Sequence, residues 1–144
     1  MNIKQRVANL VKKYDSCDPY ILTRDLGIKV IPLELPESIR GFYVRILRRK
    51  FIAVNAALPE ISQKVVVCHE LGHARLHPGY GYYYTLAGTH FISCRRETEA
   101  NEFALHLLSR SHDIDLDLVQ KLLRDKRPDP REVHQILSSV VSPN

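Results

Sequence analysis

No window of this 144-residue chain approaches the ~20 consecutive apolar residues that a bilayer-spanning helix needs. The N-terminus carries no apolar secretion segment. Met1-Asn2-Ile3-Lys4-Gln5-Arg6 leads into an amphipathic helix pattern of Ile3, Val7, Leu10, Val11 and Tyr14. Cysteine is scarce as well. Three residues, an odd number at wide spacing, make no disulfide framework. Cys17 and Cys94 read as reduced thiols and Cys68 as a core residue, so the expected compartment is the cytoplasm with no membrane contact. The net charge is +5, with Arg45, Arg48, Arg49 and Lys50 clustered at one predicted turn. No aromatic–basic interleave or DNA-binding motif accompanies them, so direct nucleic-acid binding is not expected. A positive field of this kind would instead attract an acidic protein partner. Asp113-x-Asp115-x-Asp117 resembles the start of a calcium loop, but apolar residues fill the gaps and neither the glycine nor the closing glutamate follows.

What the chain does contain is Cys68-His69-Glu70-Leu71-Gly72-His73, an H-E-x-x-H pattern. On a helix His69 and His73 lie one turn apart, so both imidazoles reach one metal ion, and Glu70 is placed to polarise a water beside it. The helix is predicted from Pro59 and Glu60, which suit a helix start, to Pro78 and Gly79, which stop it. Ile61, Val65, Cys68, Gly72 and Leu76 form its apolar stripe, which the two histidines border. Gly72 costs about 1 kcal/mol in mid-helix and would let another backbone approach. A surface helix that happens to carry two histidines has no use for that glycine.

A catalytic zinc takes three protein ligands and leaves one position open. The segment from Arg96 reads as a second helix through Leu108 and supplies candidates. Glu97, Ala100, Asn101 and Ala104 share one face, and the alanines allow tight packing. Glu97 is the preferred third ligand, Glu99 the competing one, and Asn101 could orient a ligating histidine from behind. His77 extends the histidine ladder, but the span from His69 is about 12 Å, too far for one metal, so it reads as a neighbour or a helix-end charge partner. A tyrosine or histidine of the loop carrying Tyr80, Tyr82, Tyr83 and Tyr84 could supply oxyanion stabilisation, although packing over the core is the better reading of any one of these tyrosines.

These two motifs together, residues 68–77 and Glu97-Thr98-Glu99-Ala100-Asn101-Glu102-Phe103-Ala104, resemble the ImmA/IrrE-type metallopeptidases. Gly41–Arg45 and Phe51–Asn55 are similar to the hairpin that precedes the active-site helix in that family. The resemblance covers roughly residues 1–108. It implies Zn2+ held by His69, His73 and Glu97, with Glu70 as general base. It also implies a protein substrate, namely a DNA-binding transcriptional repressor of a phage or mobile element. Where the family often has Met-Pro after the second helix, Ser109-Arg110 stands here, and residues 109–144 find no counterpart.

The remaining pattern predicts one α+β domain over residues 1–144, with a small antiparallel sheet packed on zincin-like helices. Asp18-Pro19 opens a short helix closed by Gly27. Ile28, Val30 and Ile31 begin a strand that Pro32 and Pro36 limit to an edge, where an extended peptide could add. Phe42, Val44 and Ile46 alternate with Tyr43 and Arg45 as a half-buried strand, Arg48-Arg49-Lys50 turn, and Phe51–Val54 returns. Two more helices follow, one opened by Asp113–Asp117 and one over Glu132–Val141. The expected function is site-specific zinc proteolysis of a regulatory protein. The rival is a zinc-stabilised interaction protein that binds or sequesters a regulator without cutting it.

Overall fold

The computed structural model describes residues 1–77, 82–83, 94–124 and 129–141. Helix α1 (Ile3–Tyr14) starts where the Asn2 side chain accepts the Gln5 N–H at 3.0 Å. Helix α2 (Pro19–Asp25) starts where Asp18 accepts the Tyr20 N–H at 2.9 Å. Gly27, at φ 73°, then makes the left-handed turn that only glycine adopts without strain. Strands β1 (Ile28–Leu33), β2 (Gly41–Ile46) and β3 (Arg49–Asn55) come next, followed by the long helix α3 (Glu60–Leu76). The chain continues through a two-residue strand β4 (Tyr82–Tyr83), α4 (Cys94–Leu108), α5 (Leu116–Leu123) and α6 (Pro130–Val141). The arrangement is α+β, as the pattern of elements predicts. Pro78, Gly79, Tyr80, Tyr84, His90 and Pro128 lie outside the described residues, as does the oxyanion role expected of the tyrosine loop.

The sheet departs from an all-antiparallel one. Its order is β1-β3-β2-β4, with β2–β3 antiparallel but β1–β3 and β2–β4 parallel. Proline explains part of this. Pro32 has no N–H to give, so β1 takes an edge, while β3, without proline, fills the centre. The β1 edge therefore lies beyond β3 from β2. The turn also differs from the Arg48–Lys50 expected: Leu47 and Arg48 form it, at φ 49° and 72°, and Arg49 and Lys50 are already in β3.

Strand β2 is buried on both faces, where alternation predicted one. Tyr43, with Ile52 of β3, joins a core built from α1, α3 and α4 (Val7, Leu10, Val65, Leu71, Phe103, Leu107). Phe42 and Val44 point the other way into a second cluster with Ile39 and Ala53. Val133 and Leu137 of α6 close that cluster, at 0% and 5% exposure. The expectation of a half-buried strand fails because α6 comes from far along the sequence. Asn55, at the end of β3, fixes the intervening loop through Nδ2, which donates to the Ile39 carbonyl at 2.9 Å.

Gly41 sits where β2 meets both β3 and α3. A Cβ there would lie 2.5 Å from the Ala53 carbonyl oxygen and 2.5 Å from Val66 Cγ1. Gly41→Ala is therefore expected to lower unfolding stability by about 1–3 kcal/mol, the range for overpacking. Urea denaturation at neutral pH measures it. Parental stability in the variant would mean that β2 shifts without cost.

Candidate metal centre

Helix α3 presents His69 and His73 one turn apart, and their Nε2 atoms approach to 3.2 Å. The donor atoms of His69, Glu70 and His73 all lie within 4.8 Å of one another, a group able to hold a metal ion. Helix α4 adds Glu97, whose carboxylate oxygens stand 3.3 Å from His69 Nε2 and 2.8 Å from His73 Nε2. Two imidazole nitrogens and the two oxygens of one carboxylate thus converge, with Oε2 3.3 Å from His69, Oε1 2.8 Å from His73 and 3.2 Å between the imidazoles. A tetrahedral ion with bonds of about 2.0–2.1 Å needs ligands roughly 3.3 Å apart, so the donor set fits such an ion in both chemistry and spacing.

The meeting of the two helices depends on small residues. A Cβ on Gly72 would come within 3.1 Å of Phe103 Cβ and 3.2 Å of the Ala100 backbone. That close approach is what carries Glu97 to the histidines. Glu99, the competing candidate, goes elsewhere: its Oε1 meets His77 Nε2 at 3.3 Å, with Arg95 at 3.8 Å. His77 is buried at the end of α3 and pairs with α4, as a helix-end charge partner would. Asn101 donates from Nδ2 to the Leu123 carbonyl of α5 at 3.4 Å. Its side chain also lies beside His69, where it favours the protonated imidazole.

Glu70 points into the same enclosure from the other side of His69. Its Oε1 is 4.0 Å from His69 Nε2, and the backbone N–H of Tyr43 on β2 bonds to the carboxylate. The site is thus assembled from two helices and one strand. The sequence reading missed the strand's part, because a backbone donor leaves no mark in the side-chain pattern.

Burial governs the charges. It pushes the Glu70 carboxyl up to about 7, against the opposing attraction of His69. Burial likewise pushes His73 down to about 4, only partly offset by its bond to Glu97. For Glu97 burial opposes the charge, but bonds from His69 and His73 outweigh it and hold the carboxyl well below the usual range. For His69 burial also opposes the charge, yet Glu97, Glu70 and Asn101 together raise its pKa. Without metal the cluster therefore combines an ionised Glu97 and a neutral His73, with His69 drawn toward its protonated form. Cys68, adjacent in sequence, is fully buried and pushed far up, so it stays a protonated core thiol.

A family model described as Peptidase M78, the IrrE N-terminal-like domain, matches residues 23–121. The match begins inside α2 and runs past Leu108 through most of α5, so it extends further at that end than the motifs alone reach. The chain is also 42% identical over 106 residues to "Uncharacterized immunity region protein 2" of Bacillus phage phi105, covering 74% of this chain and 67% of that protein. No solved structure matches it.

The pKa of Glu70 makes a testable statement about the metal-free protein. A carboxyl whose folded pKa lies above its unfolded value destabilises the fold once the unfolded chain is ionised, so this penalty grows between about pH 4.5 and 7. Glu70→Gln removes it. The metal-free variant is expected to be more stable than the parent at pH 8, by up to about 3 kcal/mol, with the gain vanishing as pH falls to about 4.5. Denaturation curves across that range measure the difference. A pH-independent difference would mean that Glu70 stays ionised in the folded state.

Proposed function

The chain belongs to the M78 peptidase family with an IrrE N-terminal-like domain, and from that premise we propose a zinc-dependent peptidase that cuts a regulatory protein at chosen sites. The observation that carries the reading is the convergence of His69 Nε2, His73 Nε2 and the Glu97 carboxylate within 2.8–3.3 Å, with Glu70 4.0 Å from His69. In this reading His69, His73 and Glu97 hold the metal and residues 1–144 form one metallopeptidase domain. Zinc supplies Lewis acidity that acidifies water and polarises a carbonyl.

The rest of the chemistry falls to the protein. Glu70 acts as general base, taking the proton of the attacking water at its carboxylate and passing it to the leaving amine. Its pKa of about 7, set by burial, suits a group that must both accept and release a proton near neutral pH. The Tyr43 N–H holds the carboxylate, and its Oε2 has no partner among the described residues, leaving an oxygen for the water. Glu97, kept ionised, offsets the positive charge that the histidines share with the metal.

The substrate we propose is a DNA-binding repressor of a phage or mobile element. The support is the family and the relative whose printed name places it in a phage immunity region. The cytoplasm is the compartment where such a substrate and three unpaired-type cysteines coexist. No described helix is long and apolar enough to cross a membrane.

Zinc content of the purified protein tests the site. Near one zinc per chain is expected in the parent and in Glu99→Ala, and loss of it in Glu97→Ala. Retention in Glu97→Ala with loss in Glu99→Ala would reassign the third ligand. Glu70→Gln should keep the metal while cleavage of a repressor substrate falls about 10²–10⁴-fold. If Glu70→Gln retains full biological effect, the protein acts by binding a regulator and not by cutting it.

A further inference from the structure

The tip of the β2–β3 hairpin breaks local rules in a way that the metal site does not require. Hairpins with two-residue turns and two positive φ values favour Asn-Gly, but Leu47 and Arg48 stand here at φ 49° and 72°. Side chains with a Cβ are strained in that region. Leu47 is also 91% exposed, more than any other large apolar side chain among the described residues. Behind the turn, Arg45 faces Lys50 directly across the strands, a like-charge pair that weakens a hairpin. Neither strain nor repulsion helps the fold.

Both features make sense as binding chemistry. A concave pocket of about 350 Å³ opens beside the turn, lined by Leu26, Gly27, Lys29, Arg48, Arg49, Lys50 and Phe51. Four of these are cationic and none is acidic. Lys29 comes from β1, some twenty residues away in sequence, so the fold gathers charge that the sequence alone does not group. Together with Arg45 these residues carry five basic charges, equal to the whole net charge of +5, and the remaining basic and acidic residues balance. The hairpin tip is therefore a concentrated patch of positive charge on the protein. It lies on the strand whose Tyr43 N–H holds Glu70, roughly 13 Å along from it at about 3.3 Å per residue.

We propose that this hairpin tip is a docking site for an acidic segment of the protein substrate. Carboxylates of the segment enter the basic pocket, and an apolar side chain beside them packs on Leu47. The apolar tip favours a protein over a phosphate backbone, to which an exposed leucine offers nothing. The proposal rests on the peptidase reading only in calling the partner a substrate, since docking needs neither metal nor turnover.

The test uses the full chain carrying Glu70→Gln and a fluorescent peptide of mixed glutamate and aspartate with a central leucine. A leucine-to-serine version of the peptide and a short DNA duplex serve as competitors. Expected are salt-sensitive binding of the leucine peptide, weaker binding of the serine version, and a Kd about tenfold or more higher after Arg48→Glu with Arg49→Glu. Leu47→Asn with Arg48→Gly should raise Tm by about 5 °C, by relieving the turn, while weakening the peptide. That pairing separates docking from mere structural damage. No peptide binding, binding indifferent to the charge reversal, or preference for DNA with no dependence on Leu47 would each overturn the proposal. Peptide binding here in a parent protein that cuts nothing would leave the docking site standing and remove the peptidase reading. Cleavage that ignores the hairpin variants would do the reverse.

Discussion

The contact between α3 and α4 is the constraint on which the rest of the structure depends. A metal centre built from two helices tolerates only a few tenths of an ångström of drift in its donors. Here the spacing is set by Gly72 against Ala100 and Phe103, where even one added Cβ would sit 3.1–3.2 Å from its neighbours. The glycine sacrifices about 1 kcal/mol of helix propensity. In exchange the Glu97 carboxylate reaches both imidazoles, and Leu71, Phe103 and Leu107 lock the crossing from within the main core. The His77–Glu99 pair ties the same two helices at the end of α3, so their separation is fixed at more than one level.

The electrostatics follow from that packing. A largely buried enclosure penalises every charge placed in it, which raises Glu70 and lowers His73. Glu97 escapes the penalty because two histidines bond to it. The two carboxylates are thus shifted in opposite directions within a few ångströms, Glu97 down and Glu70 up. Their difference comes from their partners. Glu97 is bonded by two imidazoles at 2.8 and 3.3 Å, while Glu70 stands 4.0 Å from His69 and takes the backbone N–H of Tyr43. The buried Nδ1 atoms of His69 and His73 and the Oε2 of Glu70 have no partner among the described residues, a concentration of unspent polarity that a purely structural core would not carry.

The parts legible in the sequence were those written in local periodicity. H-E-x-x-H on a helix fixes which side chains are neighbours, and the same 3.6-residue period separates Glu97 from Glu99 on α4. Gly72 with Ala100 and Ala104 announced the close crossing before any coordinate. Long-range pairing was hidden. Nothing local in Phe42-Tyr43-Val44 says that both faces will be covered, because the second cover, Val133 and Leu137, lies some ninety residues on. The parallel pairing of β1 with β3 was likewise invisible, although the proline that sends β1 to an edge was not. The turn was misplaced because Leu47-Arg48 lacks the residue types that mark a two-residue hairpin.

Strand β2 draws these threads together. Its odd side chain, Tyr43, packs toward α3, while its even ones, Phe42 and Val44, pack toward α6. The backbone of Tyr43 meanwhile orients Glu70, so one residue serves the core through its ring and the site through its N–H. Helix α6, beyond the family match, covers Phe42 and Val44 and so packs against the strand whose Tyr43 N–H bonds to Glu70. The second core thus packs the strand on the face away from the candidate metal site.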